Sequence, residues 1–255
     1  MQVLLIAASM AIVFGAGMVR GFAGFGFSAL CVAGLSLFLP PAHVVPPIFV
    51  LEVLASLSLL RGALKDADWP WLSWLVLGNA LFIPLGVALL AFVPEVPLRL
   101  LIGGLLLLAA ALLRAGVSIA LAPTRTVRLL TGLVSGLVNG VAAIGGIAVA
   151  VLLSAAQMPP AAMRSTLILL FLFTDLYALA WAGIFSVGAE NSAPLLGAET
   201  FRRALWLAPA MLVGIWVGQR SFKGISAAAF RRHVLNLLIF IALVSVVRAL
   251  FAWAA

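Results

Sequence analysis

Three ionisable side chains lie within or at the end of long apolar runs, where charges are costly. Arg20 follows the apolar N-terminal run, Glu52 lies in the middle of residues 43–61, and Asp175 lies inside residues 161–186. Charged groups inside a membrane usually mark binding or proton-transfer sites. The forked guanidinium of an arginine suits a carboxylate, sulfonate or phosphate. A carboxylate there could bind a proton or pair with Arg20, so Glu52 and Asp175 are candidates for coupling or gating.

Two glycine-rich breaks interrupt the apolar pattern, RGFAGFGF at residues 20–27 and NGVAAIGG at residues 139–146. Glycine lets other groups approach the backbone closely. A helix that begins after such a break presents unpaired N–H groups and a positive dipole end, which favour an anion. The sequence therefore predicts one anion site formed by both breaks. Its predicted substrate-binding residues are Arg20, Gly24, Phe25, Gly26, Asn139, Gly140, Gly145 and Gly146.

Each of these features also has a structural explanation. Arg20 is long enough to snorkel to the cytoplasmic interface, and glycines allow close helix packing. The two acids are compatible with a structural ion pair or a hydrogen-bond anchor. His43 and His233 have no metal-binding spacing, and no catalytic constellation is visible. We therefore expect no enzyme activity, no cofactor and no metal.

The chain that carries these residues is too apolar for a soluble fold. Of its 255 residues, 65% are hydrophobic and 9% are charged, and the mean hydropathy is +1.29. An average soluble domain is about half apolar and about a quarter charged, and disorder requires the opposite composition. The net charge of +8 does not indicate nucleic acid, because the basic residues lie at the ends of apolar runs. We predict an all-α polytopic membrane protein embedded in lipid.

Breaks at proline, glycine and charged residues predict about ten membrane helical segments. The segments are 3–19, 24–39, 43–61, 69–93, 98–114, 126–140, 144–158, 161–186, 201–219 and 228–253. The segments 24–39, 126–140 and 144–158 are short, because a span needs about 20 residues. Short segments beside glycine-rich breaks are typical of broken or re-entrant helices.

Basic residues distribute unevenly between the two sides of the membrane. The side opposite the N-terminus receives 11 of the 15 Lys and Arg residues, and the N-terminal side receives 4. By the positive-inside rule the richer side is cytoplasmic. We therefore predict a multi-pass protein of the inner membrane with both termini outside, in the periplasm.

An internal repeat relates the two breaks. Residues 17–27 align with residues 136–146 at an offset of 119. The same offset relates Pro40-Pro41 to Pro159-Pro160. Glycine matches alone would be weak, but an offset that also holds through a Pro-Pro pair makes chance alignment less plausible.

The offset predicts two repeats, residues 1–118 and 119–255, with five segments each. Because five is odd, equivalent segments run in opposite directions, as in secondary transporters with alternating access. A duplicated membrane protein need not transport anything, so a purely structural repeat is the alternative. The offset also pairs Arg20 with Asn139, Ser56 with Asp175, and Glu52 with Phe171.

The pattern GAGMVRGFAGFGFSAL, followed by Pro40-Pro41 and repeated as SGLVNGVAAIGGIAVA with Pro159-Pro160, resembles the TauE/SafE family. This family comprises sulfite exporters and toluenesulfonate uptake permeases, and the resemblance covers nearly the whole chain. It implies transport of a sulfur-containing organic or inorganic anion of the sulfonate, sulfinate or sulfite class. Phe25 and Phe27 flank Gly26 where the family often has more glycine, which would narrow the pocket or stack on an aromatic substrate.

Together these features predict a secondary transporter of an organosulfur anion that works by alternating access. A passive anion channel on the same repeat fold is the alternative. Coupling to protons and assembly as a homodimer are both left open by the sequence, as are the substrate and the direction of transport.

Overall fold

The computed structural model describes residues 2–115, 124–187, 194–221 and 227–254. Within these ranges the regular structure consists of ten α-helices without a strand. The helices are α1 Gln2–Ala23, α2 Phe27–Leu35, α3 Pro41–Asp66, α4 Trp69–Phe92, α5 Glu95–Ala115, α6 Arg125–Ala142, α7 Gly145–Ala155, α8 Pro160–Val187, α9 Ala198–Ser221 and α10 Ala227–Ala254. The predicted boundary between residues 118 and 119 lies outside the described residues.

The helices confirm the predicted all-α, polytopic membrane architecture. Their ends differ from the predicted segments by at most five residues. Five of the described helices are long and apolar enough to cross a membrane. These spans are Leu4–Ala23, Pro41–Asp66, Trp69–Phe92, Glu95–Leu112 and Pro160–Ser186.

Two helices are too short to cross the bilayer. The nine residues of α2 and the eleven of α7 extend about 14 Å and about 17 Å at 1.5 Å per residue. The hydrocarbon core of a bilayer is about 30 Å thick. Every residue of α2 is buried in the protein, so the unpaired backbone groups at its ends do not face lipid. The third segment predicted to be short, 126–140, corresponds to α6, whose 18 residues extend about 27 Å.

Helix pairs from the two halves pack against each other in a matched way. α1 packs on α9 and α6 packs on α4, while α3 contacts α8 and α5 contacts α10. Glycines permit the close approach of the first two pairs. A Cβ on Gly17 would lie 2.6 Å from the carbonyl oxygen of Met211, and a Cβ on Gly140 would lie 2.5 Å from that of Ile83. The offset of 119 relates α1 to α6, and α4 and α9 are the fourth helices of the first and second sets of five, so the two pairs are counterparts.

Candidate substrate-binding site

The two breaks have similar backbone geometry. Gly24 and Ala143, which are 119 residues apart, have positive φ angles of 81° and 58°. Each donates its N–H to the carbonyl four residues earlier, Gly24 to Arg20 at 2.8 Å and Ala143 to Asn139 at 2.7 Å. The N–H of Gly24 is therefore used within the break. Arg20 and Asn139 lie in the last turns of α1 and α6 rather than in the breaks where the sequence placed them.

Arg20 is fully buried, with 0% of its surface exposed, so it does not snorkel to an interface. Its Nη2 lies 3.1 Å from Oε2 of Glu52 and donates a hydrogen bond to Oγ of Ser56, also at 3.1 Å. Its Nη1 donates to the carbonyl of Gly24 at 2.9 Å. The guanidinium stacks on Phe171, 4.4 Å from the ring centroid, in a cation–π contact. The pairing of Arg20 with an acid, which the sequence raised for both carboxylates, is observed for Glu52.

Glu52 also caps the short helix α2. Its Oε1 accepts a hydrogen bond from the backbone N–H of Ser28 at 3.3 Å. Ser28 lies in the first turn of α2, where N–H groups have no partner within the helix and the helix dipole is positive. One carboxylate therefore bridges a guanidinium and a helix N-terminus. These are the two groups that the sequence predicted for a bound anion.

Asn139 and Asp175 form the counterpart of this arrangement in the second half. Nδ2 of Asn139 donates to Oδ1 of Asp175 at 2.9 Å, and both residues are 1% exposed. The contact spans 36 residues, as does the one between Arg20 and Ser56. Within the described part of the chain, Oδ1 of Asn139 and Oδ2 of Asp175 have no hydrogen-bond partner. Buried polar atoms without a partner are uncommon, and these two oxygens are able to accept further hydrogen bonds.

The two halves meet around Arg20. Asp175 lies close enough to Glu52 and Arg20 for its charge to interact with both. Phe171, on which Arg20 stacks, packs so tightly on Gly146 that a Cβ there would overlap the ring. Arg20, Glu52, Phe171 and Asp175 therefore form one buried cluster between α1, α3 and α8.

The other predicted residues fall into two groups. Gly26, with a φ of 92°, is the N-cap of α2, and it lines a cavity of about 520 Å³ together with Phe25. Gly140 and Gly145 instead pack against backbone carbonyl groups of α4 and α6. Both glycines therefore serve helix packing in this structure, and their contribution to a ligand site stays a prediction.

The sequence did not identify four residues of this region as site residues. Ser56 and Phe171 were marked only as the repeat partners of the two acids. Ser28 carries no signal, because its contribution is a backbone N–H. Arg164, which lines the cavity beside Gly26, is one of the 11 basic residues on the predicted cytoplasmic side, and the sequence gives it no other role.

In the described parts of the chain, no group of three or more His, Cys, Asp or Glu side chains is placed to hold one metal ion. Fold and site together define a polytopic helical membrane protein in which two broken helices meet around a buried ion pair.

The family described as Sulfite exporter TauE/SafE matches residues 9–245. This match covers nearly the whole chain, and the chain belongs to that family. It is therefore a membrane transporter of the sulfite exporter type, and this kinship supports the expectation that it is not an enzyme. Comparison with curated proteins and with solved structures gave no match.

Proposed function

We propose that the protein is a secondary transporter that moves a sulfur-containing anion of the sulfonate, sulfinate or sulfite class across the inner membrane by alternating access. The observation that carries this proposal is the position of the Glu52 carboxylate between Arg20 and the N-terminus of α2. A carboxylate and a sulfonate both spread one charge over several oxygens that accept charge-assisted hydrogen bonds. The groups that hold Glu52 therefore suit the anionic head of a substrate, and the family supports the sulfur-containing class.

Glu52 acts in this mechanism as an internal counter-ion. A substrate that replaces it on Arg20 leaves the Glu52 carboxylate buried without its partner, which costs about 3–5 kcal/mol. Uptake of a proton by Glu52 removes this cost. One proton then accompanies each singly charged anion into the site.

The charged or titratable groups that face Glu52 set the conditions for this proton. Among the described residues they are Arg20 on α1, Cys31 on α2 and Asp175 on α8. Glu52 pairs with the Arg20 guanidinium, and Asp175 lies within reach of its charge. A single proton on the two carboxyl groups therefore makes the cluster neutral, as a buried cluster favours. Asp175 and Glu52 together hold and exchange the coupling proton. The direction of net transport follows from the anion and proton gradients.

Alternating access requires two equivalent gates, and we assign them to inverted repeats at residues 1–118 and 119–255. The matched pairs α1–α9 and α6–α4 support this assignment, as do the matched hydrogen bonds from Arg20 and Asn139. Five helices in each half place equivalent helices in opposite orientations, so a gate on one side of the membrane has a counterpart on the other.

The excess of basic residues supports an inner-membrane topology with both termini in the periplasm. A reporter that is active only in the cytoplasm should be silent at the C-terminus and active when inserted near Lys65, at the end of α3. The reverse pattern would contradict the orientation.

Transport measurements in proteoliposomes test the function. With an alkaline interior, the wild-type protein should accumulate 4-toluenesulfonate or sulfite above the external concentration, and a proton ionophore should abolish the accumulation. Arg20→Gln serves as the inactive control. A passive channel would bring the anion only to equal concentrations, and that result would contradict the proposal.

A further inference from the structure

A cavity of about 520 Å³ opens beside the first break, where α8 begins. It reaches Gly26 at the start of α2 and Ile147 in the first turn of α7, so it touches both short helices. Phe25, Met163 and Leu238 contribute to a wall that is mainly apolar. Its volume is typical of small-molecule sites, which are mostly apolar with a few placed polar groups.

Arg164 supplies the positive charge of this cavity. Among lining residues whose side chains the structure describes, it is the one that is charged. Its Nη2 donates to the carbonyl of Gly21 at 3.1 Å. A Cβ on Gly24 would lie 2.6 Å from Cγ of Arg164, so the absence of a side chain at Gly24 makes room for the arginine. The guanidinium is therefore held against the end of α1 by backbone contacts.

The two arginines near the break differ in how their charges are compensated. Glu52 compensates Arg20, but in the described ranges no carboxylate forms an ion pair with Arg164. Asp66 lines an adjoining cavity with Arg164 without pairing with it. The charge of Arg20 also acts on Arg164. A half-buried cation beside a second cation, in a mainly apolar cavity, is stabilised by a bound anion.

We propose that this cavity is a second anion site, in which Arg164 binds the charged head of an organic anion and the apolar wall binds its hydrocarbon or aromatic part. The site lies outside the buried cluster but adjoins it at Gly26, the N-cap of α2. An anion bound there is therefore next to the groups that hold Glu52. An anion with an apolar body gains from burial in this cavity, whereas sulfite has no such body and gains only the charge interaction. The inference rests on the proposed function in assuming that the protein takes up small anions.

Binding to the purified full-length protein in lipid nanodiscs tests this site. The probes are 4-toluenesulfonate, methanesulfonate, sulfite and 4-methylbenzoate, measured by calorimetry. Arg164→Gln should weaken 4-toluenesulfonate binding at least tenfold. Arg164→Lys should retain part of the binding, because a lysine keeps the charge but lacks the forked donors of the guanidinium. Arg61→Gln, which removes an exposed arginine predicted on the same side of the membrane, should bind like the wild type and serves as the matched control.

A second variant tests the apolar wall without changing charge. Phe25→Ala should weaken the binding of 4-toluenesulfonate at least tenfold and leave the binding of methanesulfonate nearly unchanged. If Arg164→Gln does not fold, Arg164→Lys and Phe25→Ala still carry the test. If the wild type, Arg164→Lys and Phe25→Ala bind each probe with the same affinity, the second site is overturned.

The outcomes separate this inference from the proposed function. A wild-type protein that accumulates sulfite but binds no organic anion overturns the second site alone. Binding of 4-methylbenzoate that depends on Arg164, without binding of any sulfur anion, supports the second site and contradicts the proposed substrate class.

Discussion

The two broken helices share a backbone geometry but differ in chemistry. In the first half Arg20 donates to Ser56, and in the second half Asn139 donates to Asp175, with the same spacing. In the first contact the charged group is the donor, the guanidinium of Arg20. In the second contact the acidic group is the acceptor, the carboxyl of Asp175. The proposed repeat therefore supplies two equivalent positions, and the side chains make one of them cationic and the other acidic.

The equivalent residues Glu52 and Phe171 extend this difference. Both reach Arg20, Glu52 through an ion pair and Phe171 through its ring. Phe27 at the start of α2 is equivalent to Gly146 at the start of α7. One half therefore has an aromatic ring on its short helix, and the other half has it on α8, at Phe171. We infer that anion binding belongs to the first break and that α8 in the second half supplies the acid and the ring that support Arg20.

The largest expected effect comes from removing the cation. Arg20→Gln should lower the free energy of unfolding by about 3–5 kcal/mol, because Glu52 is left buried without its partner. Anion affinity should fall by roughly thirtyfold or more. Chemical unfolding and calorimetry measure the two effects.

Two controls sharpen this result. The double variant Arg20→Gln/Glu52→Gln should recover most of the stability but not the affinity, because the unpaired charge is gone. Asn139→Ala, at the equivalent position, should cost only about 1–3 kcal/mol for a buried group left unpaired. Equal losses from Arg20→Gln and Asn139→Ala would show that the two halves are not chemically different.

A smaller effect is expected from filling the space under the ring in the second half. Gly146→Ala should displace the Phe171 ring on which Arg20 stacks and cost about 1–3 kcal/mol of stability by overpacking, with a measurable loss of anion affinity. Gly104→Ala is the matched control, because nothing lies within 4 Å of a Cβ there. A Gly146→Ala variant with wild-type melting temperature and affinity would show that Phe171 does not support Arg20 in anion binding.

The smallest effects on stability are expected at the two acceptors. Ser56→Ala should cost about 1 kcal/mol for one hydrogen bond and leave the pH dependence of transport intact. Asp175→Asn should fold normally and weaken that pH dependence without abolishing it, because Glu52 still takes up a proton but can no longer exchange it with Asp175. Unchanged pH dependence in well-folded Asp175→Asn would exclude Asp175 from coupling.

The sequence predicted the helices well because hydrophobic length and breaks determine helix ends in a membrane. It placed the first break too early, at Arg20, because glycine patterns do not distinguish a break from close packing. Gly21 lies in a helix and packs against the backbone at Ile215, whereas Gly24 and Gly26 have the positive φ angles that end α1 and begin α2.

The buried cluster was predicted only in part. Arg20 and the two acids stood out because charges in apolar runs are rare. The capping of Ser28 by Glu52 depends on how α2 packs on α3, and the cavity at Arg164 depends on how α8 and α10 pack around the break. Neither arrangement leaves a periodic signal in the sequence.

The central claim is that Glu52 occupies the place of the transported anion. Calorimetric binding of 4-toluenesulfonate to the wild type and to Glu52→Gln, across mildly acidic to mildly alkaline pH, tests it most directly. Wild-type affinity should rise as pH falls, by up to about tenfold per pH unit for one proton taken up with the anion. Glu52→Gln should bind at least about tenfold more tightly at neutral pH, because no internal anion competes, and its affinity should not vary with pH. Weaker binding by Glu52→Gln, or a pH dependence equal to that of the wild type, would contradict the account.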